Sequence, residues 1–142
     1  MKPILVAVDE HPHAEAIVDS AIQLAGAISS KILLIYVVEK SSVPDRYRDE
    51  HGDALPEHYY QDEFRRTVGP LTKMIEKAGI KYEGLAASGD PVEEILKAAK
   101  SRDVGYIVMG ARGLRGVQRL KAISSVSRNV IERSSVPVIA VP

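Results

Sequence analysis

Short apolar runs alternate along this chain with longer segments in which apolar residues recur every three or four positions. The short runs predict five strands, at residues 4–8, 31–38, 81–86, 104–108 and 136–141. Four of these runs are almost continuously apolar, which is typical of strands buried on both faces of a parallel sheet. The run at 81–86 is more polar, so we expect it to form an edge strand.

The longer segments predict four amphipathic helices between these strands. Their apolar stripes run from Ile17 to Ile28, from Tyr60 to Ile75, from Val92 to Ala99 and from Ile123 to Val130. The third helix has a well-marked beginning, with Asp90 as the N-cap, Pro91 at the first helical position and Glu93 as the capping-box partner. The fourth helix is expected to cover residues 117–133.

The regular alternation predicts an α/β fold, a single domain over residues 1–142 built on a doubly wound parallel sheet with right-handed crossovers. In such sheets, ligands bind beyond the carboxyl ends of the strands, at the point where the strand order reverses. Asp9, residues 37–38 and residues 109–113 all fall at the carboxyl ends of predicted strands. We therefore expect the binding site at this edge of the sheet.

Composition narrows the class of protein. The 142 residues carry a formal net charge of zero, which argues against bulk nucleic-acid binding, and the absence of cysteine excludes disulfides and thiolate metal sites. No apolar run approaches the roughly 18 residues needed to span a bilayer, and the first run is too short for a signal peptide. These observations predict a soluble cytoplasmic protein without a membrane partner.

The segment after the fourth predicted strand combines glycine with positive charge. The connection from this strand to the next helix contains Met109, Gly110, Arg112 and Gly113. A glycine-rich turn into a helix N-terminus exposes backbone N–H groups to a phosphate. Six basic residues lie between positions 112 and 133, against Glu132 as the single acidic one. The first hypothesis is a nucleotide phosphate. The alternatives are a tight structural turn and a solvated basic helix face.

Residues 39–63 have the opposite character, with eight acidic and three basic side chains. We expect residues 40–56 to form a loop leading into the second helix. A connection of this length is unusual in a compact domain, and such loops are often lids or binding surfaces. This loop is the candidate surface for a protein partner.

Four segments of the chain stand out together: Ile-Leu-Val-Ala-Val-Asp at residues 4–9, Gly-Asp-Pro at 89–91, Met-Gly-Ala-Arg-Gly at 109–113 and Ser-Ser-Val-Pro-Val at 134–138. In this order they resemble the universal stress protein family. The resemblance implies a five-stranded parallel sheet of order 3-2-1-4-5 and a homodimer, often formed through the last strand. One branch of the family binds ATP through a pattern of Gly, two residues, Gly, nine residues, then Gly followed by Ser or Thr, and another branch lacks this pattern.

This chain matches the first half of the ATP-binding pattern and departs from the second. Gly110 and Gly113 fit, whereas Ser124 takes the last glycine position and Ser125 the hydroxyl position, with one extra residue in the loop. This alignment is preferred because it keeps Val126 on the buried helix face. A strict count from Gly113 gives Ile123 and Ser124 instead. If the glycine position requires a positive φ, serine there costs about 1 kcal/mol or more in strain and weakens binding.

The resemblance also implies roles for individual residues. Asp9 would contact the ribose or adenine side, although it has an alternative role as a helix cap, and the Val37 backbone would meet the adenine edge. The ribose and phosphates would lie against Met109, Gly110, Arg112 and Gly113, and the terminal phosphates against Ser124, Ser125 and Val126. ATP is the expected ligand, accompanied by Mg²⁺, which needs few protein ligands.

Other chemistry is less well supported by the sequence. His11 and His13 flank a proline beside two carboxylates, but these ligand types lie in one local turn, so we expect no dedicated metal site. Neither a Walker lysine nor a nucleophile elbow is present, so no catalytic residue is predicted. The leading hypothesis is an ATP-binding switch or adaptor in a stress response. The alternatives are an interaction module that binds no nucleotide and a weak ATPase.

Overall fold

Strands and helices alternate along the computed structural model, which describes residues 1–9, 13–38, 56–111 and 123–142, with the backbone alone for 56–60. The strands are β1 (Ile4–Val8), β2 (Ile32–Val38), β3 (Tyr82–Ser88), β4 (Tyr106–Gly110) and β5 (Val138–Val141). The helices are α1 (Ala14–Ile28), α2 (Pro56–Lys77), α3 (Pro91–Ser101) and α4 (Ser125–Arg133). The predicted order of elements is confirmed.

The five strands form one parallel sheet in the order β3-β2-β1-β4-β5. Helices cover both faces, so the fold is the predicted doubly wound α/β class, which is Rossmann-like. The polar run becomes the edge strand β3, as expected, and its residues Glu83 and Gly84 are exposed. The opposite edge is β5, which pairs with β4.

Side chains of the central strands alternate between two apolar layers. In β1, Ile4 and Val6 pack in the layer that holds α1 and α2, whereas Leu5 packs in the layer that holds α3 and α4. All three side chains are fully buried. Because both faces of each central strand meet helices, every position along it must be apolar, and this produces the continuous runs in the sequence.

Strand β4 begins two residues later than the sequence predicted, and the reason is local. Val104 is buried, but its N–H donates to the carbonyl oxygen of Ala99 at 3.2 Å, so it closes the end of α3 instead of opening the strand. Asp103, with φ of 48°, turns the chain there. At its other end, strand β4 extends two residues further than predicted, to Gly110, which pairs with Val141 of β5.

The predicted start of α3 is correct except for one contact. Asp90 is the N-cap and accepts from the Glu93 N–H at 3.0 Å, with Pro91 at the first helical position. The Glu93 carboxylate does not return to the N-cap, as a capping box would require. It accepts instead from Nη1 of Arg133 at 2.6 Å, which joins the beginning of α3 to the end of α4.

Candidate functional site

The sheet divides at the carboxyl ends of β1 and β4. These strands pair over Ile4–Val6 and Tyr106–Val108, although both continue for two more residues. By contrast, β1 pairs with β2 to its last residue, Val8 opposite Tyr36, and β4 pairs with β5 to its last residue, Gly110 opposite Val141. The separation falls where the strand order reverses. This is the position at which open α/β sheets bind ligands.

Several predicted residues border this crevice. Asp9 follows β1 directly and is half-buried, and Gly110 ends β4 on the other side. Met109 is only 4% exposed and packs in the layer of α3 and α4, so its backbone and not its side chain is available there. Val37 lies one strand further away, in β2, opposite Ala87 of β3. Its side chain packs in the same layer as Met109.

Helix α4 begins at Ser125, so the predicted start at residue 117 is wrong. Ile123 and Ser124 are not helical, and Ser124 is the N-cap, with φ of −65° and ψ of 157°. Its hydroxyl oxygen accepts from the Ser127 N–H at 3.1 Å. Serine side chains compete for backbone N–H groups in this way and therefore favour the cap over the helix interior. The extended backbone also means that Ser124 carries no positive-φ strain.

Hydrogen bonds fix the start of α4 against the end of β4. The Ser124 N–H donates to the carbonyl oxygen of Ala111 at 2.7 Å. The Ser127 hydroxyl donates to the carbonyl oxygen of Gly110 and accepts from the Ser124 hydroxyl at 2.9 Å. The first turn of α4 therefore lies beside the crevice. Sequence reasoning missed Ser127, because a capping box would have Glu or Gln at this position and a serine gives no such signal.

This helix end offers two backbone donors. Among the residues that the structure describes, the N–H groups of Ser125 and Val126 have no acceptor, and the Ser125 side chain is exposed. Unpaired N–H groups in a first helical turn add to the positive end of the helix dipole. Together they provide a site for an anion such as a phosphate or carboxylate.

The basic cluster expected around this site is only partly described. Arg112 and Gly113 lie outside the described residues, as do the other three basic residues between 115 and 121. Arg133 is at the far end of α4, roughly 12 Å from its start at 1.5 Å per residue. Its bond to Glu93 lowers the pKa of that carboxyl group and raises the pKa of the guanidinium. Arg133 therefore belongs to the contact between α3 and α4.

The remaining predicted features lie elsewhere. Residues 10–12 and most of the predicted acidic loop, residues 40–55, are outside the described part of the chain. His13 hydrogen-bonds through Nε2 to the carbonyl oxygen of Pro142. Within the described ranges, no three His, Asp or Glu side chains are placed to hold a metal ion. No described helix has the length and apolarity needed to cross a membrane.

The fold agrees with comparisons to known proteins. The model of the universal stress protein family matches residues 1–142. Universal stress protein YxiE of Bacillus subtilis is 32% identical, with 97% of each chain covered. The structure of protein MJ0577 of Methanocaldococcus jannaschii is 25% identical with a TM-score of 0.83, covering 99% of this chain and 94% of that one.

A universal stress protein from Archaeoglobus fulgidus, solved in complex with dAMP, has the same fold. Its TM-score is 0.72 at 23% identity, with 100% of this chain and 98% of that chain covered. The match of the family model over all 142 residues, together with the relative at 32% identity, identifies the family. This chain belongs to the universal stress protein family.

Proposed function

We propose that the protein binds an adenine nucleotide, ATP with Mg²⁺, in the crevice between β1 and β4 and acts as a cytoplasmic stress-response switch. The observation that carries this proposal is the start of α4, where the N–H groups of Ser125 and Val126 lie beside the end of β4. A phosphate group satisfies such donors and benefits from the helix dipole.

The residues around the crevice divide between the two parts of a nucleotide. Ser124, Ser125 and Val126 serve the phosphates, together with the backbone of Met109 and Gly110. On the opposite side of the crevice, Asp9 supplies a carboxylate that can accept from ribose hydroxyls. The Val37 backbone serves the adenine edge. Arg112 and Gly113 complete the phosphate side by sequence, since an arginine fork suits phosphate oxygens.

The relative solved with dAMP supports the choice of ligand, because an adenine nucleotide binds to a protein of this fold and family. Mg²⁺ would accompany the triphosphate, since this ion is usually held by phosphate oxygens, water and one or two carboxylates. Asp9 is a carboxylate that borders the crevice, because it follows β1 directly. A site of this kind needs no preformed group of protein ligands.

The direct test is isothermal titration of nucleotide-stripped protein with Mg·ATP, ADP, AMP and adenosine. We expect micromolar binding of ATP that weakens as phosphates are removed. Ser125→Ala should reduce ATP affinity by about tenfold or more, because a hydrogen bond to a charged group is lost. Ser101→Ala is the matched control, since Ser101 is an exposed serine at the end of α3. No heat with millimolar ATP would overturn the proposal and favour the interaction module.

We also propose that the protein is a homodimer paired through β5. This strand, Val138–Val141, lies at one edge of the sheet and is made of apolar residues only, although Val141 is buried and Val136, which the sequence suggested as part of the edge, precedes the strand. Ile139 of β5 remains 36% exposed. An exposed apolar edge strand is a template for pairing with a second chain. Sedimentation equilibrium at micromolar concentration should give twice the 15.5 kDa chain mass, and a monomer throughout would refute the dimer.

A further inference from the structure

Ser127 is a buried serine in the first turn of α4. It is the third residue of α4 and only 1% exposed, whereas its neighbours Val126 and Arg128 both retain exposed surface. A buried hydroxyl is costly unless its hydrogen bonds are satisfied. In Ser127 they are satisfied on both sides, by one donor and one acceptor, and these partners belong to two different elements of the proposed site.

The hydrogen bonds form a directed chain. The Ser124 hydroxyl donates to the Ser127 hydroxyl, which donates to the carbonyl oxygen of Gly110. The Ser127 N–H returns to the Ser124 hydroxyl, and the Ser124 N–H donates to Ala111. Each hydroxyl hydrogen is therefore used once, inside the protein. Neither hydroxyl keeps a hydrogen for a ligand in this arrangement.

We infer that Ser127 is a positioning residue for the phosphate end of the proposed nucleotide site, acting together with Ser124. It sets where the N–H groups of Ser125 and Val126 lie relative to the Gly110 end of β4. The inference rests on the proposed function and changes one role within it. Ser124 acts by holding the helix, whereas the sequence suggested that its hydroxyl could donate to phosphate oxygens.

The physical basis is the narrow geometry of charged hydrogen bonds. An N–H group binds an anionic oxygen well only within a few tenths of an ångström of about 2.8 Å and near linearity. Without the Ser127 hydroxyl, the Gly110 carbonyl and the Ser124 hydroxyl each lose a buried partner. Of the hydrogen bonds described above, the one from the Ser124 N–H to Ala111 then still joins the start of α4 to the end of β4. The helix start can tilt, and donors in the wrong place lose affinity for phosphate but not for the nucleoside.

The test compares Ser127→Ala, Ser127→Thr and Ser30→Ala. Ser30 is the matched control, because it is also buried and its hydroxyl donates to a backbone carbonyl, that of Lys2, at 2.8 Å. It precedes β2 and therefore lies at the amino edge of the sheet, opposite the crevice. Titration calorimetry with Mg·ATP and with adenosine is run on each protein below its unfolding temperature, together with a thermal melt.

We expect Ser127→Ala to weaken ATP binding about tenfold and to leave adenosine binding within about twofold. Ser127→Thr keeps a hydroxyl and should retain the ratio of ATP to adenosine affinity. Ser30→Ala should lower the melting temperature without changing that ratio. Ser124→Ala breaks the same chain of hydrogen bonds at its more exposed end. It should lower the ratio of ATP to adenosine affinity, as Ser127→Ala does, and it replaces Ser127→Ala in the test if that variant does not fold.

Two results would overturn the positioning role while leaving the proposed function in place. One is equal weakening of ATP and adenosine binding by Ser127→Ala, which is general destabilisation. The other is unchanged ATP affinity despite loss of the hydroxyl in both serine variants. Absence of ATP binding by the unmodified protein is a different failure, because it overturns the proposed function and the positioning role with it.

Discussion

Gly84 in the edge strand β3 lies directly beneath the ring of Phe64 from α2. A Cβ atom added at Gly84 would lie 2.9 Å from Cε1 of that ring and closer still to Cζ. Carbon atoms attract at about 3.5 to 4 Å and repel strongly at shorter distances, so the tip of the ring must withdraw by roughly 1 Å. It can move, because α2 and β3 border an open groove of about 420 Å³ lined also by Gln61 and Arg65.

Two opposing effects decide the sign of Gly84→Ala. Replacing a glycine within a strand by alanine favours folding by about 0.5–1 kcal/mol, because the unfolded chain loses conformational freedom. Displacing a packed side chain typically costs about 1–3 kcal/mol. The second effect is larger on average, so we expect net destabilisation of about 1 kcal/mol, measured by urea denaturation with the slope unchanged.

A double-mutant cycle separates the two effects. In a Phe64→Ala background the ring is gone, so Gly84→Ala should become stabilising by about 0.5 kcal/mol. Gly26→Ala in α1 is the control, since a Cβ atom there meets nothing within 4 Å and should stabilise the protein by a similar amount. If Gly84→Ala had the same effect with and without Phe64, the packing argument would be refuted.

Three further predictions concern the helix ends and the phosphate side of the site. Asp90→Ala should destabilise the protein by about 1 kcal/mol in urea denaturation, because the Glu93 N–H loses its acceptor, whereas Asp90→Asn should cost much less. Glu93→Gln should lower stability at pH 7 but not in acid. The bond from Arg133 depresses the folded pKa of Glu93, so its contribution is complete above the unfolded value near 4.3 and is lost as the pH falls through the folded value. A difference between Glu93→Gln and the unmodified protein that persisted at pH 2 would contradict this linkage. Arg112→Ala and Gly113→Val, chosen from sequence, should each weaken ATP binding in calorimetry, and unchanged affinity in both would remove these residues from the site.

The sheet could be predicted because its signals are local and repeated. The continuous apolar runs reflect burial on both faces, and the polarity of residues 81–86 reflects the edge position of β3. The start of α3 could be predicted equally well, because an aspartate followed directly by a proline is typical of a helix N-terminus. In each case the sequence pattern and the tertiary contact require the same residue type.

Predictions failed where a residue type serves two purposes. Val104 is apolar and β-branched like a strand residue, yet it buries its side chain at the end of α3. Glu93 has the spacing of a capping box, but an arginine 40 residues away competes for its carboxylate. Ser127 carried too weak a signal because serine is common in helix starts. Its partner, the Gly110 carbonyl, is identified only by the fold.

The structure also changes the argument about the missing motif glycine. A serine at that position would be strained if a positive φ were required, but Ser124 has an ordinary extended backbone with φ of −65°. Its hydroxyl is directed into the cap of α4, where it bonds to both the N–H and the hydroxyl of Ser127. The Ser124 hydroxyl therefore occupies the Ser127 N–H, which a phosphate could otherwise use, and it holds the N–H groups of Ser125 and Val126 in place.

The net effect of Ser124 on ATP affinity is measured by comparing Ser124→Gly with Ser124→Ala. Glycine keeps a competent cap with only a few tenths of a kcal/mol lost. It also frees the third N–H, so tighter ATP binding by Ser124→Gly alone would show that the serine limits the site. Weaker binding by both variants would show that the cap bond matters more than the extra donor.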